Sequence, residues 1–305
     1  MRRALLWAST DPRLASSLPR RRFVQRAVRR FMPGETLDDA LREAETLGSR
    51  GIPTIVTMLG ENLETANETR GIVDEYVAAL DRAAERGLDL EVSIKPTHLG
   101  LDQDPRLVFE NVARLAGHAE GSGTLWIDME GSVYTGPTLD LYRALKDRHD
   151  NVGLCLQSYL RRTPADLKSL LDLSPRIRLV KGAYAESPGI AFPEKADVDR
   201  AYRELADTLL AHFAAGGAGF VGFGTHDVRL IDWLVERAAE RAVPTDRYEV
   251  EMLYGIATRD QGRLAAEGTP LRVLISYGSA WFPWYMRRLA ERPANVWFVV
   301  RSMVR

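Results

Sequence analysis

Leu90 to Glu130 reads LEVSIKPTHLGLDQDPRLVFENVARLAGHAEGSGTLWIDME. Two short runs rich in β-formers, LEVSIKP and TLWIDME, flank DPRLVFENVARLAGHAEG, which carries a helical pattern. Strand, helix, strand is the signature of two parallel strands joined by a right-handed crossover. The same alternation extends in both directions. PTIVTMLG precedes this unit; VGLCLQS, RIRLVKGAY, GFVGFGTHD, YEVEMLYG and LRVLISYG follow it. Each run is short and nearly continuously apolar, as strands covered on both faces are. Helical patterns fill the gaps, among them ETANETRGIVDEYVAALDRAAERG, with Thr65 or Asn67 as the N-cap and Gly87 as the stop. Eight such units predict an α/β fold closed into a (β/α)8 barrel, with an open doubly wound sheet as the structural alternative.

The bulk properties agree. A chain of 305 residues suits one large barrel, and a net charge of −1 gives no global attraction to nucleic acid. A single cysteine, Cys155, excludes an intrachain disulfide and argues for a reducing, cytoplasmic setting. No apolar run is long enough to span a bilayer. Scattered histidines and the lack of an H-E-x-x-H motif argue against a metal site. The expected division is a basic helical segment over residues 1–48 and a catalytic barrel over 49–305. Residues 1–30 carry nine arginines against one acid, Asp11. That segment reads as a basic amphipathic helix on anionic lipid, as a transit peptide, or as an extra helix with solvated arginines. The long connection from Tyr184 to Thr225 opens with AESPGIAFPEK and reads as a lid or as an irregular loop over the mouth.

Barrel enzymes place their sites at the C-terminal ends of strands. Here those ends carry Glu61, Lys95, Asp128 with Glu130, Gln157, Lys181 with Tyr184, Thr225 with His226, and Tyr254. Arg178 lies inside a strand among apolar neighbours, where a lone charge is costly unless paired. Arg287 and Arg288 follow from the last helix. The lining is mostly cationic, with Glu61, Asp128 and Glu291 opposing it, and suits an anionic ligand bearing phosphates and a carboxylate. No G-x-G-x-x-G or P-loop is present to hold a nucleotide in the usual ways.

IDMEGS, RLVKGAYAE, THD, EMLYG and WYMRRLAERPAN, in this order at the strand ends, resemble the proline dehydrogenase family across about Gly51 to Arg301. The resemblance implies an FAD-dependent barrel that oxidises L-proline to Δ1-pyrroline-5-carboxylate by hydride transfer, with membrane quinone as the acceptor. It implies that Arg287, Arg288 and Lys95 grip the substrate carboxylate; adjacent helix positions diverge by about 100°, so the two guanidiniums approach one small anion from different sides. By the same resemblance Asp128 is the active-site aspartate, and Arg178 lies beside the reactive flavin nitrogen, where it stabilises the reduced ring. Gln157 bonds the flavin ring. Lys181, Gly182, Ala183, Thr225 and His226 contact ribityl and phosphates, with Glu291 and the Met129 backbone nearby. Tyr184 and Leu253 wall the substrate pocket, and Glu61 pairs with Arg287 as a gate against water.

Two positions depart from the family pattern. Leu274 stands where members often have tyrosine, and Thr57 where they often have aspartate. The first opens the site to 4-hydroxyproline or another cyclic imino acid. Two rivals remain at this level: a flavin barrel like the methylenetetrahydrofolate reductases, which the arginine doublet opposes, and a non-catalytic protein that binds membrane surfaces.

Overall fold

The structure is a computed structural model that describes residues 28–61, 63 and 65–291, with the side chains of residues 66 and 287–291 outside the description. The arginine-rich residues 1–27, and the membrane and transit readings placed on them, therefore lie outside the described residues. Eight strands form one closed parallel barrel in sequence order. They are β1 (Thr54–Met58), β2 (Leu90–Ile94), β3 (Leu125–Ile127), β4 (Val152–Gln157), β5 (Arg176–Val180), β6 (Phe220–Gly224), β7 (Tyr248–Leu253) and β8 (Leu271–Tyr277). Pairing of β1 with β8, Ile55 opposite Leu274, closes the ring and excludes the open sheet.

The helices are α1 (Leu37–Gly48), α2 (Ala66–Glu85), α3 (Pro105–His118), α4 (Thr135–Lys146), α5 (Thr163–Lys168), α6 (Lys195–Ala214), α7 (Val228–Glu240), α8 (Thr258–Ala266) and α9 (Trp281–Glu291). Their starts follow local chemistry. Thr65, not Asn67, caps α2: its side chain accepts from the Glu68 N–H, and the Glu68 carboxylate takes the Thr65 N–H in return. Asp104 caps α3 ahead of Pro105, whose missing N–H costs nothing in a first turn. Gly87, at a φ of 64°, turns the chain out of α2 as expected.

The apolar core lies between strands and helices. Val92, Ile94, Leu154, Ile177, Phe223, Val250 and Val273 are fully buried there. One helix is out of the usual sequence. α1 packs on β1 and β8, the place a helix following β8 would otherwise take. α9 instead packs through Tyr285 on Phe31, at 6.0 Å between rings, and through the Trp281 indole N–H on Glu35, at 2.8 Å. Gly255, just past β7, abuts the Arg30–Phe31 backbone. That contact sets the 30–31 segment, and the start of α9 with it, at the rim where the strands end.

The long connection after β5 is mostly α6, which accounts for its length. Its leading loop is tied down among the described residues. Phe192 N–H donates to Tyr159 O at 2.8 Å and Arg161 N–H to Ile190 O at 3.0 Å. Glu186 accepts from the Ser132 N–H at 2.7 Å and its hydroxyl at 2.6 Å. Of the two readings of this loop, the pinned irregular one fits.

Candidate active site

The barrel interior is charged, contrary to the nearly continuous apolar reading of its strands. Period-two alternation turns Glu91 and Ser93, Trp126, Arg176 and Arg178, Glu249 and Glu251, and Arg272 inward. Their bonds show the direction, because they join strands that are not neighbours. Arg178 on β5 donates through Nε to Glu251 on β7 and through Nη1 to Ser93 on β2 at 2.7 Å. Only the interior permits both.

Two layers result. In the lower one the Trp126 indole N–H donates to Glu91 at 2.6 Å, and Arg272 Nε lies 3.1 Å from Glu249 Oε1 and 3.7 Å from Glu91 Oε2. Arg176 donates to the Thr124 hydroxyl at 2.8 Å. Glycines make room for this bulk. A Cβ on Gly153 would sit 2.5 Å from the Trp126 ring, and one on Gly222 would sit 1.9 Å from Glu251 Oε1. The upper layer stands on Trp126, with the Arg178 guanidinium 4.5 Å above its ring.

Asp128, one residue past β3, joins that layer to the mouth. Its Oδ1 accepts from Ser93 at 2.8 Å and from Arg178 Nη1 at 3.3 Å; its Oδ2 accepts from Lys95 Nζ at 3.2 Å. Burial pushes the Asp128 carboxyl up, but Lys95, Arg178 and the Ser93 bond outweigh it and hold the pKa below the ordinary value. Burial likewise pulls the Lys95 ammonium down, and the Asp128 and Glu61 carboxylates bring it above its usual value. Arg178 follows the same logic: burial lowers its pKa, while Glu251 and then Asp128 raise it further. All three groups are charged at neutral pH, each because of the others.

The other residues expected at the site share this rim. Gln157 ends β4, and its Nε2 donates to Met129 O at 2.5 Å and Glu130 O at 3.2 Å. Two carbonyl partners fix the amide's orientation, so Oε1 is the other end, buried and without a partner among the described residues. The Met129 carbonyl is thus already engaged. Past β5, Lys181 donates to Asp199 at 2.6 Å and Asp227 at 3.4 Å. Gly182 turns at a φ of 113°, where an added Cβ would lie 2.2 Å from the Tyr159 ring; Ala183 and Tyr184 follow, half-buried. Tyr184 Oη reaches Glu61 Oε1 at 3.5 Å.

Past β6, Thr225 is buried and its hydroxyl accepts from the Asp227 N–H at 3.2 Å. His226 Nε2 accepts the Leu253 N–H at 2.8 Å, which puts the proton of a neutral ring on Nδ1. Leu253 ends β7 in register with Leu274 on β8, two aliphatic neighbours on the rim. Arg287, Arg288 and Glu291 lie on α9, but their side chains are outside the described residues.

These pairings correct the cationic reading of the mouth. Arg178 faces Glu251, and Lys181 faces Asp199 and Asp227, carboxylates that the sequence reading left out; Lys95 faces Asp128, which that reading included. The structure still brings Lys95, Asp128 and Arg178 into one bonded cluster, with Gln157 on the same rim bonded to the Met129 and Glu130 carbonyls. It adds Ser93, Glu251 and His98, which sequence reasoning missed, and gives Glu130, already read at the rim, its partners. Ser93 and Glu251 hold Arg178. Glu130, 2% exposed, accepts from the Thr97 N–H at 2.9 Å and its hydroxyl at 2.6 Å; burial, opposed by those bonds, pushes its pKa up to about 7. His98 packs beneath Gly60, and burial with the nearby Lys95 charge pushes its pKa down to about 4. The EVE of β7 carried the missed signal, since acids two apart in a strand share one face.

A family model described as proline dehydrogenase matches residues 40–301. Proline dehydrogenase 2 of Bacillus subtilis subsp. natto is 36% identical over 282 residues, 92% of this chain and 90% of that protein. The proline dehydrogenase of Deinococcus radiodurans is 35% identical over 310 residues, covering 100% of this chain and 98% of its own. Among solved structures, proline utilization A from Bdellovibrio bacteriovorus, inactivated by N-propargylglycine, superposes with a TM-score of 0.79 at 22% identity. That match covers 88% of this chain and 32% of the solved one, so the chain spans about a third of that length.

Proposed function

The chain belongs to the proline dehydrogenase family, and from that premise we propose that it oxidises L-proline to Δ1-pyrroline-5-carboxylate with FAD as its bound cofactor. The observation that carries the reading is that two buried polar atoms at the mouth have no partner among the described residues: Arg178 Nη2, a donor, and Gln157 Oε1, an acceptor. Burying either unpaired costs on the order of 1–3 kcal/mol. A heteroaromatic ring with both acceptors and an N–H satisfies the two together. Gln157, Arg178, Lys181, Gly182, Ala183, Thr225, His226, Glu291 and the Met129 backbone would hold the cofactor. The flavin supplies the two-electron acceptor for the hydride that leaves the ring carbon beside nitrogen.

The residues of the chain do the rest. Lys95, Arg287 and Arg288 bind the proline carboxylate, with Tyr184 and Leu253 as walls and Glu61 as the gate. Asp128 holds Lys95 and Arg178 at one place. The nitrogen lone pair must be free to drive hydride loss, and the cations around the site disfavour the ammonium form. Turnover therefore rises with pH through the pKa of the bound amine and needs no dedicated base. The Leu253–Leu274 neighbours offer no hydroxyl at that part of the rim, which favours a second reading in which 4-hydroxyproline or another cyclic imino acid is also accepted.

Among the described residues no helix is long and apolar enough to cross a membrane. We assign membrane quinone as the acceptor, reached from the cytoplasmic side through peripheral contact of the basic N-terminus with the inner membrane. Turnover of proline, 4-hydroxyproline and pipecolate with a soluble quinone analogue tests the reading. The expected result is imine product from proline at the highest kcat/KM. Absence of turnover with all three would overturn it.

A further inference from the structure

Arg178 is held through two of its three guanidinium nitrogens. Its Nε–H goes to Glu251, and the Nη1 hydrogens go to Ser93 and Asp128. That leaves Nη2, which has no partner among the described residues although Arg178 is 3% exposed. Glu251 is equally incomplete: Oε2 meets Nε, while Oε1 is buried and has no partner among the described residues. An arginine and a carboxylate in contact ordinarily close both N–H···O bonds. This pair does not, and the position is built to allow it. Gly222 lies between β5 and β7, and a side chain there would displace the Glu251 carboxylate, since its Cβ would fall 1.9 Å from Oε1. On the other flank Trp126 carries the guanidinium plane. The geometry is that of a guanidinium whose free end is reserved.

We propose that Glu251 is the positioning residue of Arg178: it anchors Nε so that Nη2 is presented to the bound flavin, and its charge sets how strongly Arg178 favours the reduced ring. The inference rests on the flavin reading above. Lys95 and Arg178 face the carboxylates of Asp128 and Glu251; burial pushes the Glu251 pKa up, and the Arg178 guanidinium opposes that shift. Removing the Glu251 charge leaves this group of side chains more positive. A reduced flavin carries more negative charge than an oxidised one, so the reduced form gains.

The test is the midpoint potential of the flavin in the purified holoenzyme, wild type against Glu251→Gln. Glutamine keeps an oxygen for Nε and removes only charge. The equilibrium should move at least tenfold toward the reduced flavin, about 30 mV upward for a two-electron couple. An unchanged potential in a folded E251Q holoenzyme overturns the proposal, because a merely structural bond would not move it. If E251Q does not fold, Glu251→Asp decides. Its charge stays but falls one methylene short of Nε, so kcat should drop at least tenfold with KM for proline retained; a wild-type kcat overturns the proposal. The two readings fail differently. A wild type that binds no flavin sinks both, whereas a proline-reducible wild type with an unmoved E251Q potential sinks this one alone.

Discussion

Glu130 offers a quantitative handle on how the mouth is assembled. Its carboxyl is buried against Thr97 and titrates near 7, compared with an ordinary 4.5. The pKa is raised in the folded state, so the protonated form is favoured there. The resulting stability is fully present below about 4.5 and is lost as pH climbs through about 7. The rise from 4.5 to about 7, at about 1.36 kcal/mol for each tenfold change in proton affinity, corresponds to about 3 kcal/mol. Glu130→Gln removes this titration and keeps an oxygen for the Thr97 donors. Urea denaturation of both proteins at steps from pH 4.5 to 7.5 measures the difference. Other buried acids, such as Glu249, titrate equally in both and cancel. The wild type should lose on the order of 3 kcal/mol more than the variant across that window. Parallel curves would refute the reasoning, since they would mean that Glu130 titrates alike in the folded and unfolded chains.

Three further outcomes follow. His98, pushed down to about 4, has the opposite sign: its contribution is present above about 6.5 and lost as pH falls through 4, so His98→Gln should flatten the acid limb of the stability curve by up to about 3 kcal/mol. Asp128→Asn removes the carboxylate that offsets burial at Lys95; the lysine pKa should drop, and KM for proline should begin to rise at a lower pH than in the wild type. Gly182→Ala forces a Cβ against the Tyr159 ring at a φ of 113°, and calorimetry should show a loss of on the order of 2 kcal/mol from backbone strain alone.

The barrel was legible because its signal is repetitive. Each apolar strand, followed by a helical pattern, points to the same parallel ring, and the errors of any one segment average out. The polar strand ends were equally plain, since strand geometry alone carries Lys95, Asp128 and Gln157 to one rim. What stayed hidden depends on pairing across the ring. Nothing near Arg178 in sequence points to Glu251 or Ser93, whose separations are 73 and 85 residues. Only closure of the barrel brings them together. Lys181 was read as a bare cation for the same reason, because Asp199 and Asp227 come from α6 and the turn before α7. The displaced last helix was also out of reach: α9 looks like any amphipathic helix until α1 is seen in its place on β1 and β8.

In the proposed reaction the Arg178–Gln157 end of the mouth holds a flavin while Lys95 and the α9 arginines hold proline. The visible spectrum of the purified protein, recorded without oxygen before and after addition of L-proline, tests that joint claim most directly. A yellow protein that bleaches on addition of proline is the predicted result. A colourless protein, or a yellow one that proline leaves unchanged, would contradict it.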